Sequence, residues 1–154
     1  MKALTPELQN LIDKLVLARE IYCKASSRVH DEPMTEQILM LADRKTKFIE
    51  DISKLVEVDI EHHNLSLANR LKATLEKIGI EVEHILIQNN EGEILSFLVR
   101  REEELIEMYR TLLRSNDKEY DVFLKSLLEN QLSETCLLLS ELEETKEAYN
   151  FNEH

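Results

Sequence analysis

Three polar side chains stand where helical apolar stripes call for hydrophobic ones. From Met34 to Leu55 the stripe reads Met34, Ile38, Leu41, Lys45, Phe48, Ile52 and Leu55, with a lysine at its centre. A later stripe reads Ile94 or Leu95, Leu98, Glu102, Leu105, Tyr109 and Leu112. Another reads Phe123 or Leu124, Leu127, Gln131, Glu134, Leu138 and Leu142. Lys45, Glu102 and Gln131 therefore fall on faces that should point into a shared core. A buried charge is costly unless it is paired and hydrogen-bonded. These residues are expected to find one another.

Converging polar side chains in a helical bundle can also hold metal. A di-metal carboxylate centre takes one Glu from each of two helices and a Glu-x-x-His from each of two others. The three-residue spacing puts both donors on one helix face. None of the four main helical segments carries that pair, and none of the five His (His30, His62, His63, His84, His154) lies on a central stripe. Glu102 and Glu134 are the only candidate metal ligands among the stripe residues, and a metal centre is not the expectation.

Four main helices must position these residues. Thr5-Pro6-Glu7 reads as a helix start, with Thr as cap, Pro in the first turn and an acid near the positive end of the dipole. The stripe Leu8, Leu11, Leu15, Ala18, Tyr22, Ala25, Val29 then predicts a helix over about 6–29. His30-Asp31-Glu32-Pro33 breaks it. Further helices are predicted over about 34–56, 91–114 and 118–148. The short first connection implies an antiparallel hairpin. Leu67, Leu71, Leu75, Ile78, Val82 and Ile85 form a further stripe, interrupted by Gly79, and predict a helix over about 66–88. The long connection between main helices two and three suits a crossover along the bundle.

Composition agrees with an all-α single domain over 1–154. The chain has two Gly, two Pro and no Trp, too few turn residues for a β-rich fold. Its net charge is −12, which argues against nucleic acid and against anionic membrane surfaces as partners. There is no signal-peptide pattern and no run of apolar residues long enough to span a bilayer, so a cytoplasmic location is expected. Cys23 and Cys136 are expected to be reduced and buried. Glu61-His62-His63 is a weak surface-metal candidate.

Tyr22-x-x-Ala25 after Leu15, and Glu102 seven residues before Tyr109, resemble the first and third helices of rubrerythrin and ferritin-like proteins. More closely, Ala42-x-x-Lys45-x-x-Phe48, Arg101-Glu102-Glu103 through Tyr109, and Gln131 are similar to a bacterial family of ferritin-like bundles with a domain-of-unknown-function label. The likeness runs from about Leu8 to Leu142. It implies an up-down-down-up four-helix bundle with the crossover helix between helices two and three. Under that resemblance the first helix's ligand falls at Leu15, the second helix's Glu and His at Lys45 and Phe48, the third helix's Glu at Glu102, and the fourth helix's Glu and His at Gln131 and Glu134. Only Glu102 keeps a ligand's chemistry, with Glu134 a possible oxygen donor.

The expectation is a Lys45–Glu102 ion pair, with Gln131 hydrogen-bonding the carboxylate and Tyr22 or Tyr109 nearby, at the place where metal would neutralise buried carboxylate. The alternative keeps the Lys45 ammonium at the bundle's edge and Glu102 in solvent. The functional reading is a non-catalytic bundle without a cofactor, acting through protein contacts as a homodimer or with another protein. Leu113, Leu128, Leu137 and Leu139 are read as a second apolar face, for such contacts or equally for cover by the crossover helix. The competing readings are a divergent di-metal protein of the iron or manganese type and a carrier with a ligand in the bundle core.

Overall fold

The computed structural model describes residues 5–56, 72, 76, 77, 79, 80, 83, 84, 91–115 and 120–153. Among these residues it is all-α, with main helices α1 (Pro6–Ser26), α2 (Glu32–Val56), α3 (Glu91–Ser115) and α4 (Val122–Glu153).

Both ends of α1 and the starts of α2 and α4 have a local cause. Thr5 keeps an extended backbone and its hydroxyl accepts the Leu8 N–H at 3.2 Å, while Pro6 occupies the first turn. The helix closes at Ser26 rather than near residue 29. Ser26 and Ser27 turn their hydroxyls back onto the carbonyls of Cys23 and Lys24, each at 2.7 Å, and so satisfy the last turn. Helix α2 begins at Glu32, two residues before the predicted start. Asp31 accepts the Met34 N–H at 2.9 Å, and Pro33 falls in the first turn, where its missing N–H costs nothing. Asp121 repeats that cap on the Leu124 N–H at 2.9 Å, so α4 starts at Val122, not near 118, and continues to Glu153.

Helices α1 and α2 pack as one hairpin and α3 and α4 as another; α1 also packs on α3, and α2 on α4. Near its start α1 shares a groove with the end of α3, through Asn10 and Thr111. Near its end, its Tyr22 meets Glu102 in the middle of α3, so these two helices are antiparallel. Thr145 bonds to Gln37, and Glu134 to Arg44, so α2 and α4 are antiparallel as well. It follows that α2 and α3 run the same way. The expected crossover helix lies mostly outside the described residues. Residues 72, 76, 77, 79, 80, 83 and 84 are helical, and Glu83 pairs with Arg28 at 2.7 Å and with Lys24 of α1 at 3.4 Å.

The core follows three of the four predicted stripes. Leu8, Leu11, Leu15, Ile38, Leu41, Ile52, Leu95 and Leu98 are sealed from solvent. The fourth holds at Leu124, Gln131, Leu138 and Leu142 and shifts by one residue between them. Leu128 and Thr135 face the core, while Leu127 and Glu134 stand at its edge and Phe123 is exposed. Leucines occur on several sides of α4, so its apolar period does not choose one face. The expected second face does not form either. Leu128 is in the core, Leu113 and Leu139 pack against it, and only Leu137 is exposed. Cys23 is exposed and Cys136 half-buried, both free, which corrects the expectation of buried thiols. Cys23 sits one position off the Tyr22–Ala25 face, and partial desolvation followed by the Glu20 charge pushes its thiol up. No helix among the described residues is long and apolar enough to cross a membrane.

Candidate functional site

Lys45 occupies the middle of α2, between the core residues Leu41 and Phe48. Its helical register directs the side chain inward, and it reaches across the bundle to Glu102 on α3. Nζ donates to Glu102 Oε1 at 2.7 Å, and both side chains are completely buried. The ammonium also stands 5.2 Å from the centroid of the Phe48 ring, whose π face supplies a weaker attraction. The other carboxylate oxygen of Glu102 accepts the Tyr22 hydroxyl of α1 at 2.6 Å. Each oxygen of the carboxylate thus has a protein donor, as a buried anion requires.

A second chain of bonds runs beside the first. Tyr109 of α3 donates to Gln131 Oε1 of α4 at 2.7 Å, and Gln131 Nε2 donates to the Phe48 carbonyl at 3.2 Å. The Gln131 amide spends its bonds there and not on Glu102, which corrects the expected contact. Thr135 is fully buried and donates to the Gln131 carbonyl at 2.7 Å. The sequence reading missed it because the stripe was placed one residue away, on Glu134.

Glu134 leaves the cluster. Its carboxylate takes the Arg44 guanidinium as a two-bond fork at 2.6 and 2.8 Å, with about a third of each side chain exposed. That fork is favourable enough to hold Glu134 at the surface. Arg44 was not singled out in the sequence. The only signal for it was a cation flanking the stripe lysine, opposite an acid three residues from Gln131.

Burial, and then the nearby Glu102 charge, raise Tyr22 well above the ordinary phenol range. Burial raises Tyr109 likewise, with Glu102 and Glu134 as the next causes. The folded chain therefore holds two protons that the unfolded chain releases near pH ~10. Stability from this source is complete below that pH and falls above it, by up to about 1.4 kcal/mol per pH unit for each tyrosine. Urea titrations between pH 9 and 11 should show this decline. Tyr22→Phe with Tyr109→Phe should flatten it, and an unchanged slope in that variant would refute the assignment.

The residues do not fit a di-metal centre. Leu15, Lys45 and Phe48 offer no oxygen or imidazole donor, and the Lys45 ammonium holds the Glu102 carboxylate. Among the described residues no three His, Cys, Asp or Glu side chains are grouped to hold a metal. The chain's one Glu-x-x-His, Glu81 to His84, lies outside the four main helices in the sequence, and its Glu81 is outside the described residues. Glu61-His62-His63 is outside them as well. The cluster is closed to substrates too, since neither Lys45 nor Glu102 has any surface in contact with solvent. Chemically, it fixes three helices by one buried charge pair and a tyrosine. Comparison with known families, with curated proteins and with solved structures found no match.

Proposed function

We propose that this chain is a non-catalytic, ferritin-like bundle of up-down-down-up order, in which a buried ion pair replaces a di-metal centre and which works through contacts with other proteins. Two antiparallel hairpins with parallel central helices, and a long connection between them in the sequence, support that order. The observation that carries the reading is the 2.7 Å Lys45–Glu102 pair, fully buried, in which an ammonium takes the position of a metal cation beside the only carboxylate at the centre. Tyr22 completes the carboxylate's bonding, so no vacant donor set remains for a second ion. The partner is a second copy of the chain or a different protein.

Aerobic loading of the purified chain with iron or manganese, followed by elemental analysis, tests the proposal. No stoichiometric metal is expected, with or without Glu102→Ala. A pair of ions per chain, lost in Glu102→Ala, would contradict the proposal and favour a divergent di-metal protein.

A further inference from the structure

Helix α4 turns Leu124, Gln131, Leu138 and Leu142 into the core, and an opposite stripe of Phe123, Ser126, Asn130, Ser133, Leu137 and Ser140 is exposed. These six recur at alternating steps of three and four, the 3.5-residue period of a helix–helix seam. Phe123 is 69% exposed and Leu137 66%. None of the six is charged, although the chain's net charge is −12. The exposed positions of α3 are by contrast mostly charged, Arg100, Glu103, Glu107, Arg110 and Arg114 among them. Copies of so acidic a chain repel one another, and along this stripe they can meet without carboxylates facing.

The stripe is complementary to itself in one direction only. Its larger residues, Phe123, Asn130 and Leu137, alternate with Ser126, Ser133 and Ser140. About a two-fold axis between Asn130 and Ser133, an antiparallel copy sets Phe123 against Ser140 of the second copy, Asn130 against its Ser133 and Leu137 against its Ser126. Every layer then pairs a large side chain with a small one, over about 26 Å of helix. Glu129 falls beside Cys136 of the second copy, and Glu134, already held by Arg44, beside its Leu127, so these acids do not meet. A parallel pair would stack Phe123 on Phe123 and serine on serine. It would also press Glu129 against Glu134 and Glu144 against Glu144, like charges at the positions that set helix orientation.

We propose that α4 pairs antiparallel with α4 of a second copy of this chain through the stripe, as a two-fold dimer. This names the partner left open above and rests on the reading that the chain works through protein contacts. One helix pair buries an area at the low end of specific interfaces, on the order of 1,000 Å², so the dimer exchanges with monomer as the chain is diluted.

Sedimentation of the full chain from about 1 to 500 μM tests it. The mass should rise with concentration from that of one chain toward that of two. Leu137→Glu should weaken association by about tenfold or more, because it buries an unpaired carboxylate in the seam, and should keep native helix content, because the position faces solvent in the single chain. Adding Ser126→Lys to Leu137→Glu should restore the dimer. Those two positions lie about three turns apart on one helix and face each other only across the antiparallel pair. A single chain at every concentration would overturn the proposal. So would a dimer that Leu137→Glu leaves intact, or one that Ser126→Lys does not restore. None of these results bears on metal content, so failure here is distinct from failure of the metal-free reading.

Discussion

Lys45→Ala should lower the unfolding free energy by about 3–5 kcal/mol, the cost of leaving a buried charge without its partner. The truncation removes the only cation bonded to the Glu102 carboxylate and opens a cavity beside Phe48, while Tyr22 still donates to the stranded anion. The loss should depend on pH in a particular direction. An orphaned carboxylate is relieved by taking up a proton. The folded variant then binds more protons than the unfolded chain, so its deficit shrinks as the pH falls and grows as it rises. Urea denaturation of both chains between pH 4.5 and 8 would read this. An Lys45→Ala deficit below about 1 kcal/mol, as at exposed pairs, would mean that the ammonium is not buried against Glu102.

Glu102→Ala should cost a similar amount, about 3–5 kcal/mol, but with the opposite pH trend. Here the ammonium is stranded, and it is relieved by losing a proton. The folded variant binds fewer protons than the unfolded chain, so its stability recovers as the pH rises. The Tyr22 hydroxyl also loses its acceptor, a further penalty of about 1–3 kcal/mol that Tyr22→Phe in the same background should partly recover. Two single substitutions at contacting residues, with mirrored pH dependence, are hard to produce by cavity formation alone. If the two deficits followed pH in the same direction, the ion pair would not be their cause.

The ion pair is not expected to be the cheapest way to fill this space. Well-packed apolar residues in place of a buried pair are often neutral or stabilising. What the pair adds is direction. Lys45 and Glu102 belong to different hairpins, on the two helices that run the same way. A slip of one helix by a turn would strand both charges, so the pair favours a single register between the hairpins over its alternatives.

The residues at the centre were legible because they break a pattern. Lys45, Glu102 and Gln131 each interrupt a sustained apolar period, and an interruption of that kind constrains a side chain more than a surface charge does. The stripes of α2 and α3 were equally readable, since their polar faces are well separated from their apolar ones; that of α1 was readable as well, although Ile12, Val16, Leu17 and Ile21 are buried beside it. The stripe of α4 was not, because leucine at 124, 127, 128, 132, 137, 138, 139 and 142 covers several sides of one helix. That ambiguity put Glu134 in the cluster and left Thr135 out of it. Hydrogen-bond choice was also beyond a stripe argument. Gln131 had Glu102, Tyr109 and a helix carbonyl to choose among, and only three-dimensional placement gives the amide to Tyr109 and Phe48. The helix ends were misplaced where a side-chain cap, Asp31 or Asp121, outweighed the nearest break in periodicity.

A double-mutant cycle on Lys45 and Glu102, measured by urea denaturation at pH 7, tests the central claim most directly. The two single alanine variants and the double variant give the coupling energy without reference to the cavities each leaves. A coupling of about 2–3 kcal/mol is expected for a desolvated, hydrogen-bonded pair, with the double variant more stable than the sum of the single losses implies. A coupling below about 0.5 kcal/mol, the size measured for solvated surface pairs, would contradict a buried ion pair at the centre of this bundle.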